Sequence, residues 1–171
     1  MGLAPLAGLP MGTRAGDMDV GVIEYVANKY DRSISSVMEG LNKRSGMMGL
    51  SGVSSDFRDL DAAAEKGNEA AQLALDKFAY EVRKYIGAYA AALGGLDCLV
   101  FTAGVGENGP DMRESICEGL GFLGVHVDHE KNQVRGKETD ISAADSTVKV
   151  YVIPTNEELM IARDTLALVT K

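Results

Sequence analysis

The sequence predicts an α/β fold, and three observations carry that expectation. An apolar run from Leu96 to Thr102 ("LDCLVFT") has the near-continuous hydrophobicity of a parallel strand covered on both faces. It hands over at once to the small-residue loop "AGVGEN", and then to a helical pattern in "DMRESICEGL". Helical stripes and short strand-like runs fill the rest of the chain. At 171 residues the length suits one domain, residues 1–171, with a full core.

Taken in order, Val22, Ile23 and Val26 mark a short helix face between Gly21 and Tyr30. Ile34, Val37, Met38 and Leu41 fall at i, i+3, i+4 and i+7, with Ser33 placed as a cap. Glycine and serine in "GMMGLSGVSSD", Gly46 to Asp56, read as a break. A long helix is expected from about Asn68 to Leu93, striped by Leu75, Phe78, Val82, Tyr85, Ile86, Tyr89 and Leu93 and stopped by Gly94-Gly95. After the strand at Leu96, Met112 and Ile116 lie one turn apart in a helix near Asp111 to Gly119. "LGVHVD" and "VKVYVIP" are further strand candidates, and "NEELMIARDTLALV" is a closing amphipathic helix. The segment from Asn132 to Ser146 reads as exposed loop. Strand, glycine loop and helix in alternation is the pattern of doubly wound or actin-like folds, whose ligands sit at the carboxyl ends of strands.

Composition narrows the function. A net charge of -8 and a pI near 4.8 argue against a nucleic-acid or anionic-membrane surface, while leaving room for a nucleotide held by backbone amides. Two cysteines, Cys98 and Cys117, make no disulfide framework, which fits a reducing, cytoplasmic compartment. No apolar stretch approaches a membrane span, and "MGLAPLAGLPMG" has neither a cationic leader nor the form of a signal peptide.

Five segments are candidates for chemistry. In "GVGEN", Gly104 to Asn108, the glycines permit close backbone approach to a ligand; taken alone, a tight connection explains them as well. In "MGTRAGDMD", Arg14 is either paired to a neighbouring aspartate or a guanidinium fixed for phosphate or carboxylate. "SSDFRDL" offers Ser55 or Asp56 as a helix cap, with Phe57 and Arg58 as planes that a base could lie against. In "PTNEEL", Thr155 and Glu158 have capping-box spacing. That leaves Glu157 to complement the helix dipole or to hold Mg²⁺ with waters and substrate phosphates. His126 and His129 lack a third ligand nearby and read as ordinary strand or surface residues.

Together, "GLAPLAGLPMGTRAGDMD", "LNKRSGMMGLSGVSSDFRDL", "FTAGVGENGPDMRE" and "VIPTNEELMIARDT" resemble the acetate kinase family in order and spacing, over essentially the whole chain. The resemblance implies a ribonuclease-H-like, actin-like domain of the acetate and sugar kinase superfamily, with a mixed sheet flanked by helices. It implies transfer of the ATP γ-phosphoryl group to acetate, ATP/ADP and Mg²⁺ as cofactors, and a homodimer formed through this domain. By motif, Arg14 takes the role of transition-state stabiliser. Asp56, Phe57 and Arg58 take one adenosine segment, and Gly104, Val105, Gly106, Glu107 and Asn108 the other. Glu157 takes the metal. Val20 and Ala15 depart from the family's usual proline and serine at positions without assigned chemistry.

The resemblance also implies that this chain matches the C-terminal domain only. The N-terminal domain's asparagine, arginine, catalytic aspartate and histidine, and its "HLGNG" phosphate segment, have no counterpart in the sequence. The expectation is half of an acetate kinase, inactive by itself. The alternatives are a non-catalytic adenine-nucleotide-binding or dimerisation remnant, or the same half of a propionate or butyrate kinase.

Overall fold

The computed structural model describes residues 3–170, so Met1 and Gly2 of the stretch read for a leader lie outside it. The chain divides into two compact units, Met1–Tyr89 and Ala90–Lys171.

The first unit is helical. Helix α1 (Val20–Lys29) starts at Asp19, whose carboxylate accepts the Gly21 N–H at 2.8 Å. Helix α2 (Ile34–Lys43) starts at Ser33, whose hydroxyl accepts the Ser36 N–H at 3.2 Å, as the spacing predicts. The expected break after it contains a further short helix, α3 (Gly46–Ser51). Its glycine gives the chain a left-handed residue, φ +61° at Gly46, and the main chain of Met11 and Arg14 packs directly against that position. Helix α4 (Phe57–Glu65) follows, and Asn68 then caps α5 (Glu69–Leu93) through the Ala70 and Ala71 N–H groups at 3.1 and 3.0 Å. Leu75 and Phe78 of the predicted stripe are buried with Ala71, Ala74 and Ala79, whereas Tyr89 and Leu93 are exposed. Gly94 and Gly95, both at positive φ, end the helix.

The second unit carries the sheet. Strand β1 (Cys98–Phe101) leads into α6 (Ala103–Asn108) and α7 (Pro110–Cys117), and a 3-10 turn spans Gly121–Leu123. The four-residue helix α8 (His129–Asn132), strands β2 (Thr139–Asp140) and β3 (Lys149–Val152), and α9 (Glu157–Val169) complete it. The sheet is mixed, in the order β1-β3-β2: β1 and β3 run parallel with Phe101 opposite Val152, and β2 pairs antiparallel with β3.

Four expectations are corrected here. "AGVGEN" is a helical turn rather than an open loop, closed by the Gly109 N–H on the Val105 carbonyl at 2.9 Å. "LGVHVD" is no strand: Gly124 turns at φ +83°, and only an isolated bridge, Val127 to Ser142, survives. The segment read as exposed loop contains β2 and the buried Asn132, Ile141 and Ser142, held by the Ile141 N–H on the Val150 carbonyl at 2.8 Å. Finally, β1 is not covered on both faces. Phe101 is buried, but Cys98 is exposed and Val100 is 45% exposed. Helix α9 likewise buries none of its residues, leaving Met160, Ile161, Leu166 and Leu168 in solvent.

Candidate functional site

Arg14 stands on a rigid platform. The Arg14 carbonyl accepts the Met11 N–H at 3.0 Å, closing a tight turn. The carbonyls of Met11, Gly12 and Thr13 each take an N–H from Met47, Met48 and Ser45, all at 2.9 Å, and the Ala15 N–H reaches the Leu41 carbonyl at 2.9 Å. The turn therefore lies flat against α3. Gly46 makes this possible, because a Cβ there would sit 2.0 Å from the Met11 carbonyl oxygen. Neither aspartate after Arg14 is idle: Asp19 caps α1, and Asp17 accepts from Tyr85 and from the Gly8 N–H.

The "SSDFR" segment adjoins this turn, since a Cβ on Gly12 would meet the Ser55 carbonyl oxygen at 3.0 Å. Of the two cap candidates, Asp56 is the cap of α4; it accepts the Arg58 N–H at 2.9 Å. The same carboxylate receives the Arg58 side chain as a fork, Nε at 3.0 Å and the second terminal nitrogen at 2.6 Å. That side-chain bond holds the Asp56 pKa down at about 2. The Arg58 side chain nevertheless stays 89% exposed, which leaves its plane open to a partner. Phe57 is half-buried, edge-on to Phe78 at 4.8 Å between ring centroids.

In the second unit, "GVGEN" follows β1 as α6. Gly104 faces open space: a Cβ there meets nothing within 4 Å. Gly106 differs, because a Cβ would lie 3.3 Å from the Phe101 backbone. Val105 is half-buried, and its carbonyl accepts the Gly109 N–H at 2.9 Å. The Asn108 side chain donates to the Gly104 carbonyl at 3.1 Å, and Arg135 donates to the Asn108 carbonyl. The Glu107 carboxylate accepts both the N–H and the hydroxyl of Thr155, at 2.8 and 2.9 Å, which keeps its pKa below the usual glutamate range.

Sequence reasoning missed two residues here. Arg113 is fully buried and donates to the carbonyls of Gly106, Asn132 and Val134 and to the Asn132 side chain, at 2.5–2.8 Å. The available signal was position, since Arg113 stands three and four residues before the buried Ile116 and Cys117 and shares their helix face. The second is Thr155. The cap of α9 is Asn156, whose side chain accepts the Leu159 N–H at 3.1 Å, so the expected Thr155–Glu158 capping box does not form.

Glu157 lies exposed in the first turn of α9. Among the described residues, no three His, Cys, Asp or Glu side chains converge on a metal position. A single exposed carboxylate fits Mg²⁺, which keeps waters and shares its ligands with phosphates, and does not fit a metal needing a closed protein cage. The open face at Gly104 fits the approach of a ligand to the backbone. The histidines engage separate carboxylates, His126 with Asp145 at 2.7 Å and His129 with Glu114 at 3.0 Å. Both cysteines are free thiols, and burial pushes Cys117 up to about 12. No helix among the described residues is long and apolar enough to cross a membrane.

The sequence model of the Acetokinase family matches residues 1–163. The acetate kinase of Treponema denticola is 62% identical over 169 residues, covering 99% of this chain but 43% of its own length. That of Heliobacterium modesticaldum is 60% identical, covering 98% and 42% respectively. Among solved structures, Porphyromonas gingivalis acetate kinase superposes with a TM-score of 0.94 at 47% identity, over 99% of this chain and 43% of that one. A propionate kinase from Francisella tularensis gives 0.88 at 41% identity, over 95% and 41%. The chain thus spans less than half the length of these relatives.

Proposed function

We propose that this chain, which belongs to the acetokinase family, is the carboxy-terminal nucleotide-binding and dimerisation part of an acetate kinase. That enzyme transfers the γ-phosphoryl group of ATP to acetate. The observation that carries the reading is the 62% identity to an acetate kinase across 99% of this chain. In this reading Arg14 stabilises charge on the transferring group, its rooted turn giving the fixed aim that phosphoryl transfer needs. Asp56, Phe57 and Arg58 form one adenosine segment; the main chain of Gly104 to Asn108 forms another, approached from the open side of Gly104. Glu157 would hold Mg²⁺, which would supply positive charge against the phosphates. The chain acts in the cytosol as part of a homodimer, and two free thiols suit a reducing compartment.

Acetate is favoured as acyl acceptor by the chain's overall resemblance to acetate kinases. The chain alone is inactive, because acceptor alignment belongs to the portion of the relatives it does not span. The test is acetyl phosphate formation from ATP and acetate, trapped as the hydroxamate. We expect no product from this chain by itself and product once the remaining portion is supplied in trans. Turnover by the chain alone, or none from the combination, would overturn the reading.

A further inference from the structure

We propose that Glu107 is a positioning residue rather than a nucleotide ligand: its carboxylate clasps Thr155 and so fixes the α6 segment relative to the first turn of α9. The proposal rests on the acetate kinase reading, because it gives one geometry to a nucleotide segment and a metal carboxylate.

The sheet brings the two segments together. β1 and β3 are parallel neighbours, so Thr102 and Ile153 leave the same end of the sheet side by side, and the Ile153 N–H still reaches the Phe101 carbonyl at 2.9 Å. Beyond that pair, the Thr155 hydroxyl becomes the centre of a small network. It donates its one hydrogen to Glu107 at 2.9 Å. Its oxygen lies 3.0 Å from the Thr102 hydroxyl and 3.1 Å from the Ala103 N. Because that hydrogen is spent on the carboxylate, Thr102 and Ala103 must both be donors, and the two lone pairs of Thr155 are then filled. The Thr155 N–H adds a second bond to the same Glu107 oxygen at 2.8 Å.

Two features mark this as a built joint. Ala103 sits at φ +58°, a left-handed conformation that a non-glycine residue holds only when its surroundings impose it. Asn156 serves as the cap of α9, which frees Thr155 from the capping role its spacing suggests. Glu157 follows Thr155 by two residues and inherits its placement. The Gly136 N–H on the Glu107 carbonyl at 3.1 Å and Arg113 on the Gly106 carbonyl at 2.8 Å anchor the α6 end from the other side. With Glu107 turned onto Thr155, the ligand-facing part of "GVGEN" reduces to its glycine backbone.

The test uses the 171-residue chain and the variants Glu107→Ala, Thr155→Val and Thr155→Ser. One readout is backbone amide exchange at Ala103 and Thr155, and the other is calorimetry of adenosine and of ADP with and without Mg²⁺. Glu107→Ala and Thr155→Val are expected to speed exchange at both amides and leave adenosine affinity unchanged. Both should cut the Mg²⁺-induced gain in ADP affinity by about fivefold or more, the lower range of a site-to-site coupling. Thr155→Ser, which keeps the hydroxyl, is expected to restore both. Equal loss of adenosine and Mg²⁺–ADP affinity in Glu107→Ala overturns the proposal, since Glu107 then touches the nucleotide itself. Unchanged exchange and unchanged Mg²⁺ gain overturn it as well. A wild-type chain that binds no adenine nucleotide overturns the kinase reading and with it the positioning role. That failure is seen in the wild type, the others only in the variants.

Discussion

Tyr85 donates its phenolic hydrogen to the Asp17 carboxylate, joining residues 68 apart in sequence. The other oxygen of Asp17 accepts the Gly8 N–H at 2.7 Å, and the Asp17 N–H returns to the Gly8 carbonyl at 2.9 Å. This ties the turn that precedes α1 to the face of α5. The tie leaves a signature in pH. The Tyr85 bond, then the Gly8 N–H, holds Asp17 below the usual aspartate range, and the same bond pushes Tyr85 up to about 12. Tyr85 binds its proton more tightly when folded, so its contribution is complete below the unfolded value of 10 and is lost as pH rises towards about 12. Asp17 runs the other way: its contribution is present above 3.8 and fades as pH falls through its lowered folded value. Melting temperatures of wild type and Tyr85→Phe should therefore converge between pH 10 and about 12. Parallel curves across that window would show that the bond carries no stability.

Gly46→Ala should be strongly destabilising and should act on Arg14. The left-handed conformation alone costs a non-glycine residue about 1–2 kcal/mol. The new Cβ would also stand 2.0 Å from the Met11 carbonyl and 2.6 Å from that of Arg14, both main-chain atoms with little freedom to yield. Urea unfolding measures the loss. A variant as stable as wild type would mean that α3 does not press on the Arg14 turn.

Arg113→Met should cost about 3 kcal/mol or more, since each buried acceptor left without a donor costs about 1–3 kcal/mol. Four acceptor contacts disappear at once, and the side chain of Asn132, also fully buried, keeps only its bond to the Pro110 carbonyl at 2.9 Å. Arg113→Lys should recover part of the loss, because an ammonium cannot reach three directions with one planar fork. Urea midpoints in the order wild type, lysine, methionine are the expected result.

These cases mark where the sequence was legible. Helices α2 and α5 follow from periodicity because their stripes repeat over several turns, and Ser33 and Gly94 sit where local chemistry demands a cap and a stop. β3 was readable from the apolar, β-branched run "VKVYVIP". β2 was not, since two residues in a polar stretch have no period, and their pairing with β3 is a tertiary fact. Glycines misled twice: Gly46 in α3 and Gly106 in α6 serve close packing inside a helical turn rather than a break. The candidate residues were nominated as a set through resemblance. The contacts among them were not legible, because Glu107 meets Thr155 at a separation of 48 residues, which no local pattern encodes.

Gly104→Val separates binding from folding. The site of the added side chain is open, so the melting temperature should hardly move. Adenine-nucleotide affinity should fall sharply, because a side chain would stand where backbone must approach the ligand. Gly106→Val is the control; its Cβ meets the Phe101 backbone, and stability should drop. If Gly104→Val binds nucleotide normally, α6 is only a connection between β1 and α7.

The most consequential prediction concerns Arg14 in the completed enzyme. Phosphoryl transfer asks little covalent chemistry of a protein; it asks for in-line alignment and for charge placed against the equatorial oxygens of the moving group. Alignment of the acceptor contributes on the order of 7–11 kcal/mol at its extreme, and without it no turnover is expected from this chain alone. With the remaining portion supplied, a guanidinium in the transition-state role is worth about 10³–10⁵ in rate. Its value depends on being fixed beforehand, and four hydrogen bonds at 2.9 Å from Leu41 and from residues 45 to 48 root the turn that carries it. Arg14→Ala should thus lower kcat by several decades and leave nucleotide affinity nearly unchanged, the pattern of an interaction made only in the transition state. Arg14→Lys should recover a fraction, because a point charge replaces a planar fork. Hydroxamate trapping gives the rates and calorimetry the affinities. An Arg14→Ala enzyme running at the wild-type rate would remove this residue from the chemistry.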